Sequence, residues 1–234
     1  MSSHIPSCWP RSLSGAKALQ SKLRSQVLLS DRHLRIRFLA AADVAYSKSE
    51  SRGWAGALLF RYPELVELEE QYLCFRVAFP YVPGFLAFRE GPALQQVLSR
   101  LQADGDLILF DGQGIAHPRG LGLASHLGVL LGKPAIGCAK SRLVGKFEES
   151  LLGEAKGSWL PLLHEGRAVG AAVRTREGVR PLYVSPGHLL TLPKSIQVIL
   201  TCSQRFRVPE PLRQVHLRVQ RLAGEGRGDF SPTR

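Results

Sequence analysis

The stretch Asp106-Leu-Ile-Leu-Phe110-Asp111-Gly-Gln-Gly114 decides the fold. Its four consecutive apolar residues show no alternation, as in a strand covered on both faces inside a partly parallel sheet. The run stops at Asp111 and a Gly-rich turn. A helical stretch from Leu123 to Leu131 follows, and then a second short apolar run from Pro134 to Cys138. Strand, turn, helix, strand is the repeating unit of α/β proteins.

Working upstream, Leu34, Ile36 and Phe38 alternate with Arg35 and Arg37 from His33 onward, before Leu39-Ala-Ala-Ala-Asp43-Val-Ala-Tyr46. The pattern predicts one strand over 33–46, with further strands at Trp54 to Phe60 and Tyr72 to Val77 as antiparallel neighbours. Pro92 suits the first turn of a helix whose Leu94, Val97, Leu98 and Leu101 share a face. Glu90 then projects from that helix start toward the sheet. Downstream, strands are expected at Gly166 to Val173 and Arg180 to Val184, and a last helix from Leu192 to about Phe206 before a basic tail. Near the start, Ala16, Leu19, Leu23 and Val27 mark an amphipathic helix within Gly15 to Leu29. The expectation is one α/β domain over residues 1–234 with a central mixed sheet flanked by helices. A peripheral helix lies in 1–30 and a flexible tail in 224–234.

Composition narrows the function classes. The 44% hydrophobic content rules out a largely disordered chain. No apolar run is long enough to suggest a membrane span, and Met1 to Pro10 lacks the pattern of a secretory signal. Cys8, Cys74, Cys138 and Cys202 are widely spaced without a CxxC pair, which argues against zinc and against a disulfide framework. Reduced thiols and a cytoplasmic location follow. The net charge of +12 suggests a polyanionic partner. Its surplus gathers in residues 1–37 and 201–234, which are expected to hold phosphates without reading sequence.

Three carboxylates carry the chemistry. Asp43 interrupts an apolar strand, where an unpaired charge is costly. Asp111 ends a buried strand, at the edge where open α/β sheets place their sites. Glu90 points at the same sheet. Should the strands of Asp43 and Asp111 be neighbours, the three converge, and hard oxygen ligands suit Mg²⁺. In a basic protein that favours metal-assisted phosphodiester hydrolysis. Both readings stand at this point, since Asp111 could be a turn residue and Asp43 a satisfied core acid.

The remaining signals are weaker alone. Asp111-Gly112-Gln-Gly114-Ile-Ala-His117 lacks the third glycine of a dinucleotide fingerprint, and no GxxxxGK[ST] occurs. Those glycines could let backbone approach a flat base. Pro80-Tyr81-Val82-Pro83-Gly84 reads either as a buried turn or as an apolar wedge that unstacks nucleic acid. Lys140 is either a solvated lysine or an ammonium beside a reacting phosphate.

Together these residues resemble the endonuclease V family. The matching stretches are Asp43 to Tyr46, Pro80 to Glu90, Asp111 to Arg119, Gly122 to Gly128, Ile136 to Lys140, Leu182 to His188 and Val208 to Arg213. Their order spans about Leu39 to His216. The resemblance implies an RNase H-like fold and a Mg²⁺-dependent endonuclease, with Mn²⁺ able to substitute, that recognises deaminated bases, chiefly hypoxanthine. It implies hydrolysis of the second phosphodiester 3′ to the lesion, leaving 3′-hydroxyl and 5′-phosphate ends. Asp43, Glu90 and Asp111 would hold metal, and Lys140 and His216 would assist at the phosphate or its water. Pro80, Tyr81, Val82 and Pro83 would form the wedge, and Gly84, Leu86, Gly112 and His117 would line the base pocket. Gln113 and the following His-Pro-Arg look like bacterial members, which favour DNA. Leu212 departs from the family's usual Thr. The implied partner is DNA with deaminated bases, acted on by a monomer needing no protein partner. Inosine-containing RNA as substrate, or nucleic-acid binding without catalysis, are the alternatives.

Overall fold

A computed structural model describes residues 9–32, 34–48 and 51–226. Eight strands form one sheet: β1 (Phe38–Tyr46), β2 (Arg52–Arg61), β3 (Val66–Arg76), β4 (Leu107–Asp111), β5 (Ala135–Ala139), β6 (Trp159–His164), β7 (Arg167–Val173) and β8 (Leu182–His188). Their order is β3-β2-β1-β4-β5-β8-β7-β6. The pairs β1/β4 and β4/β5 are parallel and the other five antiparallel, so the sheet is mixed.

Among the described residues five α-helices cover it: α1 (Leu13–Arg24), α2 (Leu86–Leu98), α3 (Leu123–Leu131), α4 (Leu192–Cys202) and α5 (Glu210–Glu225). Strand alternation sorts the core into two layers. Leu39, Ala41, Leu107 and Leu109 face α4 and α5, packing with Ile199, Val215 and Val219. Ala40, Ala42, Ile108 and Phe110 face α2 and α3, packing with Leu94, Val97 and Leu127. The alanines of β1 leave room for helices to approach both faces of the strand.

Several expectations change in the folded chain. Strand β1 begins at Phe38, and Leu34 and Ile36 pack on the core without joining the sheet. Helix α2 starts at Leu86, so Pro92 lies inside it and Glu90 lies in its second turn. The helix tolerates the missing N–H because packing of Leu94 and Val97 outweighs one hydrogen bond. The region read as a basic tail contains α5. Its Leu212, Val215, Val219 and Leu222 are buried at helical spacing between arginines, and Pro209 and Pro211 belong to its start, where proline is tolerated. Strand β6 is not among the strands expected from the sequence; it lies at the sheet edge, where its Pro161 fits. Residues 227–234 of the expected flexible tail lie outside the described residues.

Cys74, Cys138 and Cys202 are free thiols, and burial pushes Cys138 and Cys202 upward, Cys202 to about 12. Cys8 lies outside the described residues. Among the described residues no helix is long and apolar enough to cross a membrane.

Candidate active site

The parallel register of β1 and β4 ends at Ala42 opposite Phe110. The next residues are Asp43 and Asp111, and both share the parity of Leu39 and Leu107, toward α5. Across β2, Gly56 stands opposite Asp43. A Cβ at Gly56 would come within 2.7 Å of Val219 Cγ1 and 3.0 Å of Val215 Cγ2. Its absence lets α5 settle onto the sheet, which brings His216 Nδ1 to 2.7 Å from Asp43 Oδ2. Ligand atoms of Asp43, Asp111 and His216 all lie within 4.8 Å of one another. From the end of β5, Lys140 Nζ donates to Asp111 Oδ2 at 2.8 Å.

Glu90 reaches this edge from α2, in the opposite helix layer. Its Oε1 accepts the Tyr46 hydroxyl proton at 3.0 Å. Neighbouring Arg89 lies 4.5 Å over the Tyr46 ring and donates to the Phe79 carbonyl at 3.1 Å, tying the loop before Pro80 to the same cluster. Of the three acids grouped from sequence, the fold places Asp43 and Asp111 together with His216. Glu90 stands outside that 4.8 Å group but feels the charges of both.

The electrostatics are those of crowded, desolvated acids. Burial, reinforced by Asp111, pushes Asp43 above the ordinary carboxylate range against the pull of the His216 bond. Glu90 is pushed up to about 8 by burial and by the Asp43 charge. His216 is raised chiefly by its bond to Asp43. For Lys140 burial acts downward, but the Asp111 bond and the charges of Asp111 and Asp43 outweigh it and raise its pKa. Carboxylates that resist ionising together, with an imidazole beside them, are a donor set that fits a hard divalent cation.

A cleft of about 350 Å³ opens beside Asp111, within the range of ligand sites. Tyr81, Val82, Pro83, Gly84 and Leu86 form one wall, and Gly112, Gln113 and His117 another. The loop is not a buried turn: Tyr81 is 67% exposed, and Pro80 and Pro83 are exposed as well. Gly84 adopts φ +79°, a left-handed conformation that glycine allows. His117 is held below the ordinary imidazole range, at about 4, by burial and by Arg119. Its Nδ1 accepts from the Arg119 N–H at 3.2 Å, so its Nε2 donates to the Gly84 carbonyl at 3.0 Å. Gly114 has a different purpose from the one expected. A Cβ there would meet the Pro186 carbonyl at 2.2 Å, so this glycine serves backbone packing on β8 rather than a base.

Two contributors were not found in the sequence. Buried Gln20 of α1 donates to the carbonyls of Gly84 at 3.0 Å and Leu121 at 3.4 Å. Arg119 donates to Gln20 Oε1 at 2.5 Å, bonds Gly84 O and lies over the Phe85 ring. The available signal was a glutamine on the apolar stripe of α1, between Ala16 and Leu23. His188, the last residue of β8, accepts the Leu28 N–H at 3.2 Å and tethers the segment after α1. Leu212 is packed in the core beneath His216.

The comparisons with known proteins fall on this geometry. The family model for endonuclease V matches residues 20–217. The chain belongs to the endonuclease V family. The match starts inside α1, before the motifs that begin near Leu39. A relative from Nostoc sp. (strain PCC 7120), Endonuclease V, is 44% identical over 91% of this chain and 96% of its own length. The crystal structure of Endonuclease V from Streptomyces avermitilis superposes with a TM-score of 0.88 at 37% identity, over 97% of this chain and 99% of that one. That of Ciona intestinalis Endonuclease V, in complex with a 23mer DNA containing an inosine followed by a ribo-adenosine, gives 0.81 at 26% identity, over 92% and 98%. The eight-stranded sheet is thus the RNase H-like sheet of an endonuclease V, and the chain is a nuclease by family.

Three of the seven arginines in residues 201–234 make ion pairs among the described residues. Arg213 bonds Glu210 at 2.7 Å, Arg218 bonds Glu67 and Glu70, and Arg221 lies 3.9 Å from Glu225. The pair of Arg218 with Glu67 and Glu70 braces α5 against β3.

Proposed function

We propose that this chain is a Mg²⁺-dependent DNA repair endonuclease that recognises deoxyinosine and hydrolyses the second phosphodiester 3′ to it, leaving 3′-hydroxyl and 5′-phosphate ends. One observation carries the reading. Ligand atoms of Asp43, Asp111 and His216 gather within 4.8 Å at the mouth of a base-sized cleft rimmed by exposed Tyr81.

Asp43, Asp111 and Glu90 would hold the metal, Mg²⁺ or Mn²⁺, which supplies Lewis acidity toward the phosphate and the attacking water. The protein's own groups do the rest. Asp43 accepts the Nδ1 proton of His216, fixing the ring and leaving Nε2 to exchange a proton at a substrate oxygen. The Lys140 ammonium, held by Asp111, puts positive charge where the phosphate gathers negative charge. Tyr81, Pro80, Val82 and Pro83 fill the gap left by the extruded base. Gly84, Leu86, Gly112 and His117 receive it. A His117 that stays neutral keeps the Gly84 carbonyl engaged and its loop in one shape.

The reading takes the chain as one nuclease domain acting in the cytoplasm as a monomer. It is tested with purified protein, Mg²⁺ and a duplex holding one deoxyinosine. A nick 3′ to the lesion that disappears in Asp43→Ala is expected. An undamaged duplex cut equally well, or a nick that survives Asp43→Ala, refutes it. The ribo-adenosine beside the inosine in the Ciona complex favours a second arm, with ribose placed at and 3′ of the lesion. Faster cleavage there makes inosine-containing RNA the main substrate. Binding without cleavage under any metal condition leaves a nucleic-acid-binding protein.

A further inference from the structure

A second groove, of about 710 Å³, lies on the other side of Lys140 from the base cleft. The two share the wall Lys140 to Arg142. Five cations line the groove, Lys140, Arg142, Arg174, Arg180 and Arg207, against one carboxylate, Glu149. Two of the cations form a fixed floor. Arg207 donates to the Lys140 carbonyl at 3.0 Å and the Pro181 carbonyl at 2.8 Å. Arg174 donates to the carbonyls of Gly153, Leu152 and Val179. Bonds to carbonyls hold these guanidinium groups in place and leave their charge uncompensated. Arg142 and Arg180 are exposed at the rim, and neither makes an ion pair among the described residues. Such a concentration of cations repels itself and calls for a polyanion.

Position gives the groove a direction. The base cleft lies on one side of Lys140, the bond to Asp111 ties Lys140 to the carboxylates, and the groove opens on the other side. A strand with its lesion in the cleft and its reacting phosphate at Asp111 continues past Lys140 into the groove. We propose that this groove binds the sugar–phosphate backbone of the substrate strand 3′ of the cleaved bond. Arg142 and Arg180 contact successive phosphates over the positive floor of Arg174 and Arg207. This rests on the endonuclease reading above for the location of the cleaved bond. It adds to the basic chain ends a sequence-blind grip on DNA in the loops after β5 and before β8, with Arg207 of the C-terminal stretch in its floor.

The test compares the wild-type chain, Arg142→Ala/Arg180→Ala, the charge-keeping Arg142→Lys/Arg180→Lys and a distant control, Arg167→Ala on β7. Thermal melts establish that each is folded. Affinity for undamaged single-stranded DNA is measured by anisotropy over a salt series in EDTA. On a single strand each phosphate contact contributes about 0.7 to the slope of log K against log salt. The double alanine variant should therefore lose about 1.4 from that slope, the lysine variant should retain most of it, and the control all of it. An unchanged slope in the double alanine variant overturns the groove, whether or not the lesion reading holds, because no inosine is involved.

The direction is then read from inosine substrates shortened stepwise at either end, or with neutral methylphosphonates at single positions. Wild-type affinity should fall about tenfold as the 3′ phosphates are removed, while the double alanine variant should be nearly indifferent to their loss. Shortening on the 5′ side should cost both proteins equally. Loss of sensitivity on the 5′ side in the variant, or equal sensitivity of both proteins on the 3′ side, overturns the assignment. Wild-type protein that leaves inosine uncut while the slopes behave as stated refutes the lesion reading and not the groove.

Discussion

Replacing Gly56 with alanine should damage the reaction without touching a reactive group. The added methyl would lie 2.7 Å from Val219 Cγ1 and 3.0 Å from Val215 Cγ2, on a helix seated by four buried apolar residues. Overpacking of this kind costs about 1–3 kcal/mol, offset by the roughly 0.5–1 kcal/mol that alanine regains over glycine within a strand. A net loss of roughly 0–2.5 kcal/mol lowers Tm by no more than about 10 °C for a chain of 234 residues, which leaves it folded at ordinary assay temperatures. Activity should fall further. His216 follows Val215 directly, and its 2.7 Å bond to Asp43 depends on where α5 rests. Misplacement by about 1 Å can cost on the order of a hundredfold in rate. The assay pairs thermal melts with kcat/KM on a deoxyinosine duplex, and adds Gly56→Ala/Val219→Ala, which removes the closer of the two valine contacts, at 2.7 Å. Recovery of activity in the double variant, despite the stability that Val219→Ala itself costs, is the expected signature. Activity that survives Gly56→Ala intact, or a double variant that recovers nothing, would refute the coupling of helix seating to catalysis.

Tyr81→Ala should reduce discrimination between inosine and undamaged DNA more than the metal concentration needed for half-maximal rate; equal loss of both would contradict the wedge role. Gln20→Ala removes a buried donor from two carbonyls and the acceptor of Arg119 Nε, at a cost of about 1–3 kcal/mol. It should weaken lesion discrimination from a helix that does not line the metal site, and a Tm loss with unchanged discrimination would limit it to folding. Buried His126 stacks on Trp9 at 4.9 Å, finds no hydrogen-bond partner for either ring nitrogen among the described residues, and is pushed down to about 3 by burial and the nearby His117. The folded state therefore binds fewer protons there than the unfolded chain between pH 3 and 6.5, and stability is lost as pH falls through that window. Denaturant titrations should show His126→Phe gaining on wild type by about 1.4 kcal/mol per pH unit below 6.5; parallel pH profiles would refute this.

How much of this was legible in the residues themselves can be judged element by element. The uninterrupted apolar run Leu107 to Phe110 and the helix after it specify a covered strand in an α/β sheet, because side-chain burial on both faces is written locally as composition. Asp43 and Asp111 announce themselves in the same way, as charges where neighbours are apolar. The Pro80 to Gly84 loop is visible as stiff and apolar, but only packing shows that Tyr81 stands in solvent. Pro92 misled because local preference favours a first turn, whereas tertiary contacts of Leu94 and Val97 carry the helix through it. Helix α5 was hidden among arginines, and the carboxylates that pair with Arg218, Glu67 and Glu70, lie on the distant strand β3.

The sequence by itself determined the class of fold, the two aspartates at strand positions and the family to which the chain belongs. Only the tertiary structure decided that His216 joins Asp43 and Asp111 while Glu90 stands outside that group, that Gln20 of α1 holds the lesion loop, and that Arg142, Arg174, Arg180 and Arg207 line one groove beside Lys140. The division has a physical cause. Burial and periodicity are properties of neighbours along the chain, whereas registers between strands, the seating of a helix and the pairing of distant charges exist only once the chain has closed on itself.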